Sequence, residues 1–128
     1  MAEPTYPDDL LYNADHDWAR IEGEEATFGI TWYAQDQLGE IVYWDGAEVG
    51  AEVTIGASYT ELESVKAVSE VVAPLSGRIL AVNQQLVQAP ETINESPYEA
   101  GWLVRIAIAT PDEVEQLLTS AAYKELIG

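Results

Sequence analysis

The sequence predicts a mainly β protein, an antiparallel sandwich or barrel with a few short helices. Three observations predict it. Between Ala51 and Val87, short runs of β-favouring residues are punctuated by Gly56, Pro74 and Gly77, the spacing of antiparallel strands joined by tight turns. Further runs of the same kind lie upstream in WARIEGEEATFGI and downstream in WLVRIAIA. Helix-like patterns are confined to a short piece after Thr31 and to the C-terminal end.

Taken in order, Pro4 and Pro7 keep the start of the chain extended, and residues 1–9 are expected to be loose. WARIEGEEATFGI reads as two short strands joined by a turn at Glu22 to Glu25. In TWYAQDQLG, Thr31 can cap a helix, Ala34, Gln35 and Leu38 suit its interior, and Gly39 can take the left-handed closing position. EIVYW follows as a strand and ends at Asp45 and Gly46, a pair that turns the chain. VGAEVTIGASYTELE and AVSEVVAPLSGRILAV then flank Lys66 with similar length and rhythm, a likeness of pattern rather than of identity. QAPETINESPYEAG reads as a polar loop leading into WLVRIAIA, the last strand. In TPDEVEQLL, Thr110 as cap, Pro111 at the first helical position and Glu113 as capping-box partner predict a surface helix. SAAYKELIG adds a shorter helical piece, so 111–127 is expected to be a helical C-terminal segment. No linker composition separates these pieces, and residues 1–128 are expected to form a single domain.

A chain of 128 residues with 48% hydrophobic and 22% charged residues has the composition of a folded protein. Its formal net charge of −18 repels nucleic acid and anionic lipid, and it favours partners with basic docking faces. The absence of cysteine excludes disulfides, thiolate metal sites and a cysteine nucleophile. The N-terminal stretch MAEPTYPDDLLY resembles neither a secretory signal nor a transit peptide, and no run approaches a spanning helix, so a cytoplasmic location with no membrane role is expected.

Groups for catalysis are scarce. His16 is the single histidine, and although Asp15 and Asp17 flank it, no serine stands in a nucleophile context and no second histidine completes a metal set. Dinucleotide and phosphate-loop glycine motifs are absent. That leaves Lys66, one of two lysines, placed between Val65 and Ala67 where an exposed turn is normally polar. A nucleophilic lysine needs its neutral form, and Glu61, Glu63 and Glu70 favour the charged one. An apolar turn tip holding one cation suits presentation to a partner better than chemistry of its own.

The segments HDW at 16–18, GIT at 29–31, YAQDQLGEIVY at 33–43, LESVKAVS at 62–69, SGRILAVN at 76–83 and INESPYEAGWLVRI at 93–106, with the C-terminal AAY, run in the order found in the H proteins of the glycine cleavage system, which this chain resembles over nearly its whole length. The resemblance implies a barrel-sandwich hybrid of two antiparallel sheets with short helices, including one at the C-terminus, and a hairpin that displays one lysine. It implies a covalent carrier rather than an enzyme. Lipoate is attached at the position matching Lys66 by a lipoyl-attaching enzyme, with Glu63, Ser64, Val65 and Ala67 carrying modification and partner recognition. The partners it implies are glycine decarboxylase with pyridoxal phosphate, a tetrahydrofolate-dependent aminomethyltransferase and an FAD-containing dihydrolipoyl dehydrogenase, served by a monomer. Members of the family shelter the loaded arm in a cleft faced by acids, and His16, Asp17 and Glu70 match that cleft. The chain departs from the family at Trp44, Asp45 and Gly46, where Leu-Pro is common, at Tyr59 and Thr60, where Phe-Gly is common, and at Trp32, where Asp is frequent. These departures are expected on partner-facing or cleft-lining surface. An H-like carrier for sulfur oxidation or for lipoyl relay to 2-oxo-acid dehydrogenases shares Lys66 and differs only in partners.

Overall fold

The structure, a computed structural model, describes residues 4–128. Among these residues nine strands form two antiparallel sheets. The larger contains β1 (Leu11–Tyr12), β2 (Asp17–Glu22), β3 (Glu25–Ile30), β9 (Val104–Ile108), β8 (Gly77–Val82) and β5 (Glu52–Val53), in that spatial order. The smaller contains β4 (Ile41–Tyr43), β6 (Ser58–Ser64) and β7 (Val68–Val72). This is the mainly β, two-sheet architecture expected from the sequence.

Alternation along the strands decides which residues meet between the sheets. Ala26, Phe28 and Ile30 of β3 and Val104 and Ile106 of β9 are buried with Ile41 of β4, Leu62 of β6 and Val71 of β7 in one apolar cluster. Burial of each large side chain contributes about 1.5–3 kcal/mol. A second cluster gathers Leu10, Tyr12, Trp18, Tyr98 and Tyr123.

The two runs flanking Lys66 are the nested arms of one structure. β6 pairs with β7 in the small sheet while β5 pairs with β8 in the large one. The segments that cross between sheets bond each other: Gly56 N–H donates to Ala73 O at 2.9 Å, and Ala73 N–H to Ala57 O at 2.9 Å. At Gly77 the strands approach so closely that a Cβ would stand 2.1 Å from Ala107 O, which leaves room for glycine alone.

Helix α1 (Trp32–Leu38) forms as expected, with Thr31 accepting from Ala34 N–H and Gly39 closing it at φ +81°. Three expectations require correction. The stretch 88–101 read as a polar loop contains a helical turn, α3 (Thr92–Glu95), that buries Ile93, and just before it, at the end of the region read as β-favouring runs, lies another, α2 (Gln85–Gln88), that buries Leu86. Pro111–Gln116 is a 3₁₀ helix and not an α-helix, and Thr110 makes no side-chain cap. Its intended capping partner Glu113 turns outward to accept from Ser76 N–H at 2.7 Å and Ser76 hydroxyl at 2.9 Å, so a tertiary contact replaces the local one. Helix α4 (Ser120–Ile127) follows, capped by Thr119. Third, of residues 1–9 expected to be loose, 1–3 lie outside the described residues and the rest are tied down: Tyr12 hydroxyl donates to Pro7 O, Tyr98 hydroxyl to Thr5 O, and Ser120 hydroxyl to Asp8. No helix among the described residues is long and apolar enough to cross a membrane.

Candidate functional site

The tip of the β6–β7 hairpin consists of Val65, Lys66 and Ala67, beyond the last strand pair Glu63 with Val68. Ser64, 5% exposed, shapes it: its hydroxyl oxygen accepts Lys66 N–H at 3.1 Å and Ala67 N–H at 3.2 Å, while its own N–H donates to Ala67 O at 2.8 Å. A short side-chain acceptor that satisfies two tip amides is the standard chemistry of such turns. Ser64 therefore faces the turn and orders the tip. Val65 N–H donates to Glu40 O at 3.0 Å and fastens the tip to the chain leaving α1.

Lys66 is exposed, and among the described residues its ammonium makes no hydrogen bond or ion pair. Its stem lies over Gly39, where a Cβ would come within 3.1 Å of Lys66 Cε. Around it stands an exposed apolar collar: Val65 and Val68 at 63% and 58% exposure, and Tyr43 and Val42 at 54% and 42% on the neighbouring strand β4. Glu61, Glu63 and Glu70 are exposed as well. The arrangement holds a cation out in solvent with apolar and anionic surface at its base.

Of the three residues expected in an arm-docking cleft, His16 and Asp17 are chain neighbours at the start of β2, and Glu70 is on β7. His16 sits at φ +72°, a left-handed conformation uncommon outside glycine. It is held there by His16 N–H to Asn13 O at 3.3 Å, by Thr31 N–H to His16 O at 3.0 Å, and by the Nδ1 contact with Tyr123 hydroxyl at 2.8 Å. Burial lowers its pKa, with the Asp15 charge opposing. Asp17 begins β2, is 2% exposed, and accepts from Asn13 Nδ2 at 3.1 Å. Burial pushes its carboxyl well above the ordinary range, only partly offset by that bond. Glu70 is exposed on β7, paired across from Glu61, and its carboxylate makes no hydrogen bond among the described residues.

Sequence reasoning missed the role of Asn94 and the burial of the Tyr59 hydroxyl. Asn94 Nδ2 donates to Gln35 Oε1 at 3.0 Å and to Gly39 O at 2.8 Å, and its Oδ1 accepts Ile41 N–H at 2.8 Å. One side chain thus ties α3, α1 and the start of β4 together behind Lys66. Its place in INESPYEAGW marked it as part of a motif, but nothing local shows what it braces. Tyr59 has a buried hydroxyl without a hydrogen-bond partner among the described residues, and burial together with the nearby Asp17 raises its pKa. Two of the family departures expected on surfaces are internal and coupled: buried Trp44 donates its indole N–H to Thr60 Oγ1 at 2.8 Å, and Thr60 hydroxyl donates to Gly46 O at 3.0 Å.

Residues 10–128 match the family model described as Glycine cleavage H-protein. Relatives named glycine cleavage system H protein, from Anaeromyxobacter sp. strain K and from Anaeromyxobacter dehalogenans, are each 48% identical over 121 residues, 94% of this chain and 94% of theirs. A crystal structure of a glycine cleavage system H protein from Mycobacterium marinum superimposes with a TM-score of 0.88 at 40% identity, covering 96% of this chain and 99% of that one. A match over nearly the whole length, in sequence and in fold, means that this chain belongs to the glycine cleavage H-protein family, whose members are lipoyl carriers and not catalysts.

Proposed function

We propose that Lys66 carries the lipoyl group and that the protein shuttles the aminomethyl group of glycine from the decarboxylase to the aminomethyltransferase, then presents the reduced arm to dihydrolipoyl dehydrogenase. The observation that carries this reading is the exposed ammonium of Lys66, unpaired among the described residues, on a tip whose backbone is fixed by Ser64 and Glu40. Attachment through an amide fits this residue, since no ion pair has to be broken and no buried group has to move. The dithiolane supplies the sulfur that accepts and releases the aminomethyl group. The chain supplies the pivot: lysine plus a lipoyl chain extends about 10–15 Å from the backbone by summing bonds along a zigzag, far enough to enter another protein's active site.

Exposed Val65 and Val68 give the lipoyl-attaching enzyme an apolar hold next to the reacting amine. The charge of −18 aids transient encounter with basic docking faces. The proposed shelter for the loaded arm draws on His16, Asp17 and Glu70. Burial holds the Asp17 carboxyl toward its neutral form, and an incoming ammonium favours the carboxylate, so the site would turn anionic when a cation arrives. The proposed setting is a cytoplasmic monomer.

Intact mass of the protein from lipoate-replete cells, with fragmentation to locate the adduct, is expected to give one lipoyl group on Lys66; an unmodified Lys66 sinks the reading. The lipoylated protein is then expected to support carboxyl exchange between labelled glycine and carbon dioxide with glycine decarboxylase. No exchange, with a related H protein active in parallel, assigns the carrier to another lipoyl-dependent system.

A further inference from the structure

Beside Lys66, on the side of α1 that faces α3, lies a groove of about 590 Å³. Trp32 forms one wall, Gly39 marks the end next to Lys66, and Asp36, Glu40, Glu91 and Glu95 stand around it. His16, Asp17 and Glu70 take no part in it. Its floor is rigid, because Gln35 and Asn94 bond each other at 3.0 Å and Asn94 also holds Gly39 O. None of the four carboxylates is hydrogen-bonded or ion-paired among the described residues. Four uncompensated anions around an apolar groove that adjoins the carrier lysine are complementary to one kind of group, a cation with a flat apolar face.

We infer that this groove receives a guanidinium side chain of the enzyme docked over Lys66, and that modification of Lys66 strengthens the contact. The inference rests on the proposed lipoylation. A guanidinium can stack on the Trp32 indole while its fork reaches a carboxylate, which an ammonium cannot do as well. Lys66 is the cation at the rim, since its Cε lies 3.1 Å from where a Gly39 Cβ would stand. Conversion of its ammonium to an amide removes that charge and leaves the groove purely anionic, with the formal net charge at −19 in place of −18. Loss of one exposed charge several ångströms away corresponds to about threefold in affinity for a cation. The groove thereby distinguishes the modified carrier, which the decarboxylase must engage, from the unmodified one, which it must not retain.

The test uses the lipoylated protein and glycine decarboxylase in the carboxyl-exchange assay at low salt. The Glu91→Gln/Glu95→Gln pair is expected to raise KM for the carrier about five- to tenfold with kcat unchanged, whereas Glu22→Gln/Glu24→Gln, an equal charge change on the β2–β3 turn, raises it less than twofold. As competitive inhibitors, K66Q protein is expected to bind about threefold more tightly than unmodified protein, with the ratio falling toward one in the groove variant. Equal effects from the two glutamine pairs would reduce the groove to a share of the general field and overturn the proposal. So would an unchanged KM with faster loss of the aminomethyl group from the loaded protein, which would assign the groove to the arm's own amine. If wild-type protein is not lipoylated, the carrier reading fails first and is distinguished by mass alone.

Discussion

At its N-terminal end helix α1 is tied into a buried aromatic cluster, and at its C-terminal end it meets the exposed hairpin of Lys66. Thr31 at the first end is fully buried, accepts from Ala34 N–H and bonds Tyr123 hydroxyl at 2.8 Å, which also bonds His16 Nδ1 at 2.8 Å. The Tyr123 ring stacks on Tyr12 with centroids 4.9 Å apart. At the other end the links are Val65 N–H to Glu40 O and the Lys66 stem across Gly39. A seven-residue helix therefore spans from a junction that stabilises the fold to a platform that leaves one side chain free. The difference teaches that display and stability can be changed separately, because the contacts that make one are absent from the other.

The largest test of that separation is Lys66→Arg, which keeps the charge but cannot be acylated in the same way. Lipoylation is expected to be lost entirely while the urea midpoint stays within about 0.5 kcal/mol of the parent, as for exposed sites. A modified K66R chain would break the comparison at once. Next is Tyr123→Ala, which removes a fully buried ring and is expected to cost about 3–4 kcal/mol, against about 1–2 kcal/mol for Tyr123→Phe, which loses only the hydroxyl bonds. Both are expected to be lipoylated at a rate within twofold of the parent wherever they are folded; a folded variant that resists lipoylation would show that the two ends of α1 are coupled.

Ser64→Ala sharpens the comparison from the other side. It leaves the two tip amides without their buried acceptor, and a loss of about 1–2 kcal/mol is expected together with a several-fold drop in kcat/KM for lipoylation. If both measurements are unchanged, the tip is ordered without Ser64. The smallest effect concerns pH at the buried end. Asp17 has a folded-state pKa above its unfolded one, so its share of stability is complete below the unfolded value near 3.8 and is lost as pH rises through the raised value. His16, lowered by burial, acts in the opposite sense: its share is complete above 6.5 and is lost as pH falls toward the folded value. Asp17→Asn is therefore expected to shrink the fall in urea midpoint as pH rises above the ordinary carboxylate range. An unchanged fall would mean that Asp17 ionises freely in the folded protein.

Much of this was legible because the signals are local. The β2–β3 hairpin, the Thr31 and Gly39 caps and the paired runs around Lys66 depend on residues within a turn or a strand of each other, and the structure has them where the sequence predicted. Where a competing partner came from far along the chain, the reading failed. Glu113 looked like a capping-box residue but bonds Ser76, 37 positions away, and the segment it was to cap is a 3₁₀ helix without a side-chain cap. Helical turns went unread in and just before the polar stretch around INESPYEAG because each has a single apolar anchor, Ile93 in α3 and Leu86 in α2, too few to show a period. The same limit applied to the departures from the family pattern: Trp44 and Thr60 lie 16 residues apart, and only their contact shows that one substitution accommodates the other.

By itself, the sequence determined the fold class, the family and the singular position of Lys66, since strand periodicity, turn residues and the scarcity of lysine are properties of the chain read in order. Tertiary structure decided that Ser64 turns inward to hold the tip, that Asp17 is buried while Glu70 is exposed, and that Asn94 fixes a groove at the foot of Lys66. Burial and hydrogen-bond partnership depend on which distant segments meet, and that is settled by how the two sheets and α1 pack.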